Sequence, residues 1–358
     1  MLRQKRFLNL IPGGFRSCGM ITFAPCAFAS SRLCVSHSFF RIGASCALLF
    51  VLAAPPGAAA KLCGDDVRGQ DVACACGDTV VSDLVLNGDP VAGAPCSADG
   101  LIVDAKGMTH GVTVDLRGRT LRGTGQGAGL WLRYGGPGGA RVISSDGVAT
   151  IDGFRDGVVA HGNDSVALID SVAVANSGRD GVRVQTNNVE MRSVESRAAA
   201  RDGFSVNGAG FRLTHTRAIG SRRFGYFIMG KDGNVGIPGG GNAAHGSGQA
   251  GFSVMGMGHH FIECEAERNG KDGIRLMGMH YEIKDCRTLN NGDDGISGTG
   301  SAWRLVGNEA NDNGGNGILA RGAPMDDGGG NRGSGNRGRH EEGRPPVQCE
   351  IGGRACAP

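Results

Sequence analysis

The sequence predicts an all-β solenoid, a fold in which one short structural unit repeats along an axis. Three observations predict it. Glycine makes up 65 of the 358 residues, well above the usual share of about 7%. A glycine-centred motif recurs at a nearly constant interval. Apolar and polar residues alternate with the period of two that is typical of strands, and no stretch has a helical period of useful length.

One glycine anchors each repeat, as in RDGVRV, RDGFSV, KDGIRL and GNGILA. The same interval separates most successive anchors, and only the first and the fourth intervals are longer. The anchor glycines are Gly157, Gly181, Gly203, Gly225, Gly251, Gly273, Gly295 and Gly317. Because glycine tolerates left-handed and tight backbone conformations, we expect the glycines to serve the corners of the solenoid.

Each repeat is predicted to hold three short strands. An apolar–x–apolar run follows the anchor, and a small polar turn leads to a second alternating run such as HYEIKDC. The loops are too short for helical crossovers, so each repeat forms one coil of a parallel β-helix, stacked about 4.8 Å from the next. The sequence predicts a single-stranded β-helix of about ten coils over residues 107–335.

Residues 1–60 resemble an export leader. The apolar run ASCALLFVLAAPPGAAA ends in small residues that suit cleavage before Lys61. The preceding region is longer than a signal peptide needs, so a true start near Val35 is one alternative, and a retained membrane anchor is another. We expect a secreted, periplasmic or cell-envelope protein that leaves the membrane once the leader is removed. Residues 61–106 and 336–358 are then an N-terminal and a C-terminal cap.

Eight cysteines follow the leader, an even number that favours disulfides in an exported protein. Zinc is the rival, but CAC followed by Cys96 is poor zinc spacing. The predicted pairs at the two ends are Cys63–Cys74, Cys76–Cys96 and Cys349–Cys356. Cys264 and Cys286 are separated by one repeat interval and therefore stack on adjacent coils. They form either a bridge between coils or two buried, reduced thiols.

Counting from the anchors separates inward from outward positions on the second strand. The eighth and tenth positions are mostly apolar and are predicted to face the core: Val189, Met191, Phe211, Leu213, His259, Phe261, Tyr281, Ile283, Trp303 and Leu305. His259 and Tyr281 are thus core residues, and we expect His259 to have a satisfied ring nitrogen. The position between them faces out and forms the outer stripe: Glu190, Arg212, Asn234, His260, Glu282 and Arg304.

The DGI and DGF coil starts, VTVDLRGRTLRGTG (112–125) and the ending GGGNRGSGN…QC…C resemble the right-handed parallel β-helix proteins, whose fold pectate lyases and polygalacturonases share. The resemblance covers about residues 76–356. It implies that Asn269, Asn291 and Asn313, which recur at the repeat interval, form an amide ladder between the second and third sheets. The outer stripe would then lie on the first sheet, where those enzymes keep their catalytic residues.

The outer stripe therefore supplies the candidate site. A lyase acting on acidic sugars needs a base and positive groups, and a hydrolase needs two carboxyl groups. The candidate catalytic residues are His260, Glu282, Lys284 and Arg304, and the candidate substrate-binding residues are Arg212, Lys231 and Asn234. The alternative is a solvated face whose charges pair across strands.

The coil from Gly225 to Gly251 is longer than its neighbours. Loops on a rigid scaffold often carry function. We expect the insertion to form a loop beside the stripe, so that Lys231, Asp232 and His245 overhang it near His260.

GDDGIS (292–297) contains the GDD tripeptide that polygalacturonases carry in their catalytic site. However, GKDGI and GGNGI occupy the same frame one coil before and after, and the accompanying NTD, GHG and RIK elements are missing. The sequence thus predicts an ordinary coil start. Calcium is an alternative to turn hydrogen bonds for the aspartates that precede the anchors, and no metal ligands are assigned. These aspartates form two blocks, Asp156–Asp180–Asp202 and Asp272–Asp294.

The charge pattern and the resemblance bound the function. The net charge is +3, and basic runs with interleaved aromatics are absent, which argues against nucleic acid as a partner. The resemblance implies an exported, monomeric protein that binds polysaccharide, and it leaves open whether the protein also cleaves it as a lyase or hydrolase. The alternative is a non-catalytic envelope or surface module with a structural or adhesive role.

Overall fold

The computed structural model describes residues 60–104, 110–134, 138–162, 167–338 and 345–356. The predicted leader lies outside these ranges apart from Ala60. The described residues belong to one compact unit, Gly57–Pro358. Within them the only helix is one 3-10 turn, Pro90–Ala92, and no helix is long and apolar enough to cross a membrane.

Short strands form three long sheets of 14, 11 and 10 strands, here called sheets A, B and C. The strands of sheet A are Leu62–Cys63, Asp78–Val80, Leu101–Asp104, Ala128–Tyr134, Asp156–His161, Val182–Gln185, Phe204–Ala209, Tyr226–Lys231, Phe252–Met257, Ile274–Met279, Ile296–Ser301, Ile318–Arg321, Cys349–Ile351 and Arg354–Ala355. Those of sheet B are Leu84–Val85, Val112–Asp115, Ala140–Ile143, Ala167–Asp170, Glu190–Arg192, Arg212–Thr214, Asn234–Val235, His260–Ile262, Glu282–Lys284, Trp303–Val306 and Met325–Asp327. Those of sheet C are Thr120–Arg122, Ala149–Asp152, Val172–Ala175, Glu195–Arg197, Arg217–Ile219, Ala243–His245, Glu265–Glu267, Arg287–Leu289, Glu309–Asn311 and Arg332–Ser334.

The chain visits sheets A, B and C in turn, and each strand pairs in parallel with its equivalent one coil later. Glu282, for example, lies between His260 and Arg304 of the adjacent coils. Only the last strand, Arg354–Ala355, pairs antiparallel in the part of the chain that is described. The predicted parallel β-helix is confirmed, with about eleven turns. Its first strands come from the predicted N-terminal cap, because Leu62–Cys63 and Asp78–Val80 already belong to sheet A.

The predicted inward rows form the core. Phe211, Tyr281 and Trp303 are buried, and the rings of His259, Tyr281 and Trp303 follow one another with centroids 5.5 Å apart. Nδ1 of His259 accepts a hydrogen bond of 3.1 Å from the N–H of Gly233. Burial lowers the pKa of His259, which therefore stays neutral. Its role as a core residue is confirmed, with Nδ1 satisfied and Nε2 buried without a hydrogen-bond partner.

Glycine is required at the anchor positions because a side chain would not fit there, and not because of the backbone angle φ. A Cβ atom on Gly273 would lie 2.7 Å from the carbonyl oxygen of Gly295 on the next coil, and none of the anchors has a left-handed φ. Left-handed φ values occur instead at the corners, often at other residue types such as Ser193, Glu263 and Asp285. The expectation that glycine mainly supplies the corners was therefore only partly correct.

Two amide ladders hold the corners. The predicted ladder is present, because the Nδ2 atoms of Asn269 and Asn291 each donate 3.0 Å hydrogen bonds to the next asparagine along the axis. It lies between sheets C and A and ends at Asn336. A second ladder, which the sequence analysis missed, lies between sheets B and C and includes Asn308 and Asn331.

All four predicted disulfides are present: Cys63–Cys74, Cys76–Cys96, Cys264–Cys286 and Cys349–Cys356. The alternative of reduced thiols at Cys264 and Cys286 is excluded, since their Cα atoms are 4.5 Å apart and their sulfurs are bonded. This pair occupies two rungs of the second ladder, where the backbone N–H of Cys286 donates to Asn308. Four disulfides are typical of proteins from oxidising compartments.

Replacing Asn291 with alanine should destabilise the fold by roughly 2–4 kcal/mol. The change removes the bonds to Asn313 and to the carbonyl of Ala266, and it leaves buried donors and acceptors of the neighbouring coils unpaired. Urea unfolding measures the difference. Asn207→Ala, on the exposed face of sheet A, is the control and should change stability by less than about 0.5 kcal/mol. Equal effects of the two substitutions would contradict a stabilising ladder.

Candidate functional site

A ladder of ion pairs runs along the start of the sheet A strands. Its carboxylates are fully buried and each is bound by an arginine from the next coil, in the pairs Asp156–Arg179, Asp180–Arg201 and Asp202–Arg223. In the third pair, the two guanidinium nitrogens are 2.8 and 2.6 Å from the two carboxylate oxygens. Arg179, Arg201 and Arg223, each two residues before its anchor glycine, thus neutralise the aspartate of the preceding coil. Calcium is not required in this first acidic block, because the guanidinium groups already balance its charge.

The pattern of charges along this row changes at the coil that begins with Asp272. The position that carries an arginine up to Arg223 is Gln249 and Lys271 in the next two coils and Asp293 here, and the equivalent position for Asp294 is Gly315. Asp272, Asp293 and Asp294 each place one carboxylate oxygen within 4.8 Å of the others. Asp272 is only 8% exposed. The ion pairs thus end at Asp202–Arg223, and after two coils with Phe224 and Ala250 at the aspartate position an acidic cluster occupies it.

The environment of Asp272 favours its protonated form. Burial raises its pKa from 3.8 to about 6, and the charges of Asp293 and Asp294 add to the rise. A 3.2 Å hydrogen bond from the N–H of Asp294 and the charge of Arg275 act in the opposite direction without cancelling it. Asp272 is thus a carboxyl group that holds its proton into the mildly acidic range, beside two further carboxylates.

The acidic cluster lines a cleft on the outer face of sheet A. Its volume of about 380 Å³ lies within the usual range for ligand sites. Arg275 and Arg321 bring positive charge to the same cleft. The remaining lining residues are Leu276, Met277, Ser297, Gly298, Thr299 and Leu319. The arrangement combines proton-donating and proton-accepting groups with cations for an anionic ligand.

An aromatic pair lies on the same face of the solenoid. Phe224 and Phe227 are half-buried and stack with centroids 5.5 Å apart, and the guanidinium of Arg223 lies 4.8 and 5.1 Å from their ring centres. Phe227 is paired with Ser253, which pairs with Arg275 of the cleft. The aromatic pair is therefore two strands, or roughly 10 Å, from the cleft wall.

The residues of the outer stripe lie together on sheet B. Arg212, Asn234, His260, Glu282 and Arg304 are successive register partners. His260 Nδ1 is 3.0 Å from Glu282. Arg304 lies 3.3 Å from Asp326, and Lys284 is exposed. The stripe thus contains cross-strand charge pairs, and the sheet A cleft includes none of its residues.

The extra residues lie beside sheet B, as expected, but the three residues predicted to overhang the stripe lie outside that loop. Lys231 ends a strand of sheet A, and His245 ends a strand of sheet C. The strands on both sides of the insertion keep their pairing, so the extra length is accommodated between Val235 and Ala243. There the N–H of Gly239 donates to Glu263 at 2.8 Å. Lys231, Asp232 and His245 therefore do not overhang His260.

The sequence contained a signal for the cleft that was not used. GDDGIS is an ordinary coil start, as predicted, yet its two aspartates form the cluster with Asp272. The signal is the replacement of RDG by DDG, which removes the arginine that the aspartate one coil earlier would need. In addition, an asparagine ladder occupies two different corners, so a ladder alone does not identify which sheet is the first.

Two groups of side chains have the composition of cation ligands. Asp272, Asp293 and Asp294 offer only oxygen atoms, which suits calcium. His245, Glu265 and Glu267 form a mixed nitrogen and oxygen group on sheet C. Glu267 is already paired there with Arg268 at 2.9 Å and with His245 at 3.4 Å.

A family model and several solved structures are similar to this chain. The family described as "Right handed beta helix region" matches residues 149–325. The A-module of Azotobacter vinelandii mannuronan C-5 epimerase AlgE6 is 17% identical, with a TM-score of 0.45 over 72% of this chain and 75% of that one. The periplasmic alginate epimerase AlgG is 15% identical, with a TM-score of 0.48 over 69% and 72%. Pectate lyase Pel9A is 18% identical, with a TM-score of 0.42 over 75% and 72%.

No curated protein matches the sequence. Likeness to solved structures at this level carries no information on substrate or site residues. The family match and the three parallel sheets together make the chain a right-handed parallel β-helix repeat protein.

The raised pKa of Asp272 predicts that the protein loses stability as the pH rises. Its pKa is about 6 in the folded protein and 3.8 when unfolded, so the folded state is most favoured below about pH 4. This contribution to the free energy of unfolding, which is up to about 3 kcal/mol, is lost as the pH rises through 6. Asp272→Asn should remove this loss. Urea unfolding of both proteins from pH 4 to 8 measures the difference between their free energies of unfolding. The contributions of the other titrating groups cancel in that difference.

Asp202→Asn is the matched control, because the buried carboxylate of Asp202 is paired with Arg223. This substitution should destabilise the protein at pH 7.5, by roughly 1–3 kcal/mol, since it leaves Arg223 without its carboxylate. A stability difference between wild type and Asp272→Asn that does not vary with pH would contradict the assignment.

Proposed function

We propose that the protein binds an anionic polysaccharide along the outer face of sheet A and hydrolyses it in the cleft at Asp272. The observation that carries the proposal is the residue that the next coil places against the buried Asp272. Asp156, Asp180 and Asp202 each receive an arginine there, whereas Asp272 receives Asp293, so that three carboxyl groups lie together. A buried carboxyl group that lacks the arginine of its equivalents is typical of a functional site, since it lowers stability without a structural gain.

Glycoside hydrolysis needs one protonated and one ionised carboxyl group. Asp272, with its raised pKa, is the proposed general acid that protonates the leaving oxygen. Asp293 or Asp294 is the proposed second carboxylate. The oxygen separations of up to 4.8 Å are closer to the roughly 5–5.5 Å of retaining enzymes than to the longer spacing of inverting ones.

Binding is supported by the charges and rings on the same face. Arg275 and Arg321 suit carboxylates or sulfates of an acidic glycan. Phe224 and Phe227 offer an apolar surface for a sugar ring farther along the chain. A glycan lying along the solenoid axis can contact both, because the strands that carry them are neighbours on one sheet.

The proposal includes export, a monomeric state and action on polysaccharide outside the cytoplasm, supported by the leader-like sequence and by the four disulfides. Calcium in the acidic cluster is the alternative to acid catalysis and is compatible with a lyase reaction. His260, Glu282, Lys284 and Arg304 on sheet B remain the second candidate site, with Arg212 and Asn234 as binding residues. A non-catalytic envelope module is the alternative for the whole protein.

Asp293→Arg tests the proposal because it restores the repeated ion pair. We expect it to raise stability by roughly 1–3 kcal/mol through pairing with Asp272. We expect it to lower glycan cleavage at least about 100-fold through loss of the acid. Cleavage is measured on a panel of acidic and neutral glycans, with and without calcium, by new reducing ends and by unsaturated ends.

Glu282→Gln on sheet B is the control and should leave activity unchanged within about twofold. Activity that survives in Asp293→Arg but is lost in Glu282→Gln would move the site to the outer stripe. Unsaturated ends that appear only with calcium would replace hydrolysis by a lyase reaction. No product from any glycan would favour the non-catalytic module.

A further inference from the structure

Half of the methionines in the chain lie together on the outer face of sheet A. The five are Met229, Met255, Met257, Met277 and Met279, out of 10 in the sequence. Met255 pairs with Met229 on one side and with Met277 on the other, and Met257 pairs with Met279. We call these five residues the methionine patch. It spans three consecutive coils.

The patch is unusually exposed for its composition. Met257, Met277 and Met279 are 46%, 49% and 42% exposed, and they are three of the few large apolar side chains at the surface of the described residues. Methionine is normally among the residues most often buried. The inner faces of the same strands are filled by other residues, such as Val254 and Leu276. Core packing therefore does not explain why thioethers occupy the outer positions.

The backbone beneath the patch is held rigidly. The hydroxyl of Tyr281 donates to the carbonyl oxygens of Met277 and Gly256, at 2.7 and 2.9 Å. The indole nitrogen of Trp303 donates to the carbonyl of Gly278 at 2.9 Å. These core side chains fix the strands that carry the methionines. The patch thus combines a fixed scaffold with flexible side chains, as a ligand site requires.

The spacing allows several sulfur atoms to meet one ion. Adjacent strands are about 4.8 Å apart, and residues two apart on a strand are separated by about 6.6 Å. Met255, Met257, Met277 and Met279 therefore occupy the corners of a small rectangle of Cα positions. A methionine side chain has three rotatable bonds, so its sulfur can turn toward the centre of that rectangle.

The chemistry of the patch selects a soft ion. Thioether sulfur is a ligand for Cu(I), whereas carboxylate and carbonyl ligands suit magnesium and calcium. All cysteines from Cys63 onward are in disulfides, so thiolates do not compete among the described residues. We propose that the methionine patch binds a soft monovalent metal ion, Cu(I) or its analogue Ag(I). This site is separate from the acidic cluster, although Met277 also lines the cleft.

The test uses the purified full-length protein with its free thiols alkylated, so that the leader cysteines cannot bind metal. Ag(I) is titrated by calorimetry, and Cu(I) is measured anaerobically by competition with a coloured chelator. We expect one soft ion per chain. The triple variant Met255→Leu/Met257→Leu/Met279→Leu, which leaves Met277 in the cleft, should weaken binding at least about tenfold. Met325→Leu, on sheet B, is the matched control and should bind as wild type does.

A second measurement needs no variant. Bound Ag(I) should slow the oxidation of the patch methionines by peroxide, as followed by peptide mass spectrometry, and should leave Met325 unaffected. Equal affinity in the triple variant, absence of binding in wild type, or equal protection of Met325 would each overturn the proposal. If the triple variant loses metal binding but cleaves glycans at the wild-type rate, the metal site and the proposed glycan site are independent of each other.

Discussion

Each side chain in this solenoid lies against the side chain at the same position of the next coil. This one-coil register means that a residue type repeated at the coil interval forms a row along the axis, and the consequence depends on its chemistry. Rings stack, as His259, Tyr281 and Trp303 do, and amides form ladders, as Asn269 and Asn291 do. Charges of one sign would repel, so the buried aspartates of the first block persist because the neighbouring coil inserts an arginine. A residue type that recurs once per coil therefore forms a continuous row of contacts along the solenoid axis.

The same register makes an exception easy to interpret. Where RDG becomes DDG, the buried carboxyl group of Asp272 loses the arginine that its equivalents have, and its pKa rises to about 6. In a fold whose other rows are internally consistent, a local conflict of this kind marks a place where stability has been given up for another purpose. The cleft at this position, with Arg275 and Arg321 in its wall, suits that purpose as a binding site.

The sequence predicted what depends on period and spacing. The inward rows, the stacked Asn269–Asn291–Asn313 ladder and the Cys264–Cys286 neighbours all follow from counting one repeat interval along the chain. It placed the extra length of the coil between Gly225 and Gly251 beside the stripe but assigned the wrong residues to the loop, because length alone does not say where the chain leaves the strand. It also missed the cleft, since the comparison of GDDGIS with the neighbouring coils identified a coil start and did not consider what Asp293 does to the charge of Asp272. The catalytic role of the outer stripe remains a prediction.

The Cys264–Cys286 disulfide has a mechanical consequence for the acidic coil. In a solenoid each coil contacts only its two neighbours, so a weakened coil could separate along the axis without unfolding the rest. The bridge joins the coil that contains Asp272 to the coil before it. It therefore anchors one side of the acidic coil covalently, whereas the repulsion between Asp272 and the carboxylates of Asp293 and Asp294 acts at the junction with the following coil. A protein built this way can keep a repulsive carboxyl cluster in place at neutral pH, where it costs most, without closing the cleft that the cluster lines.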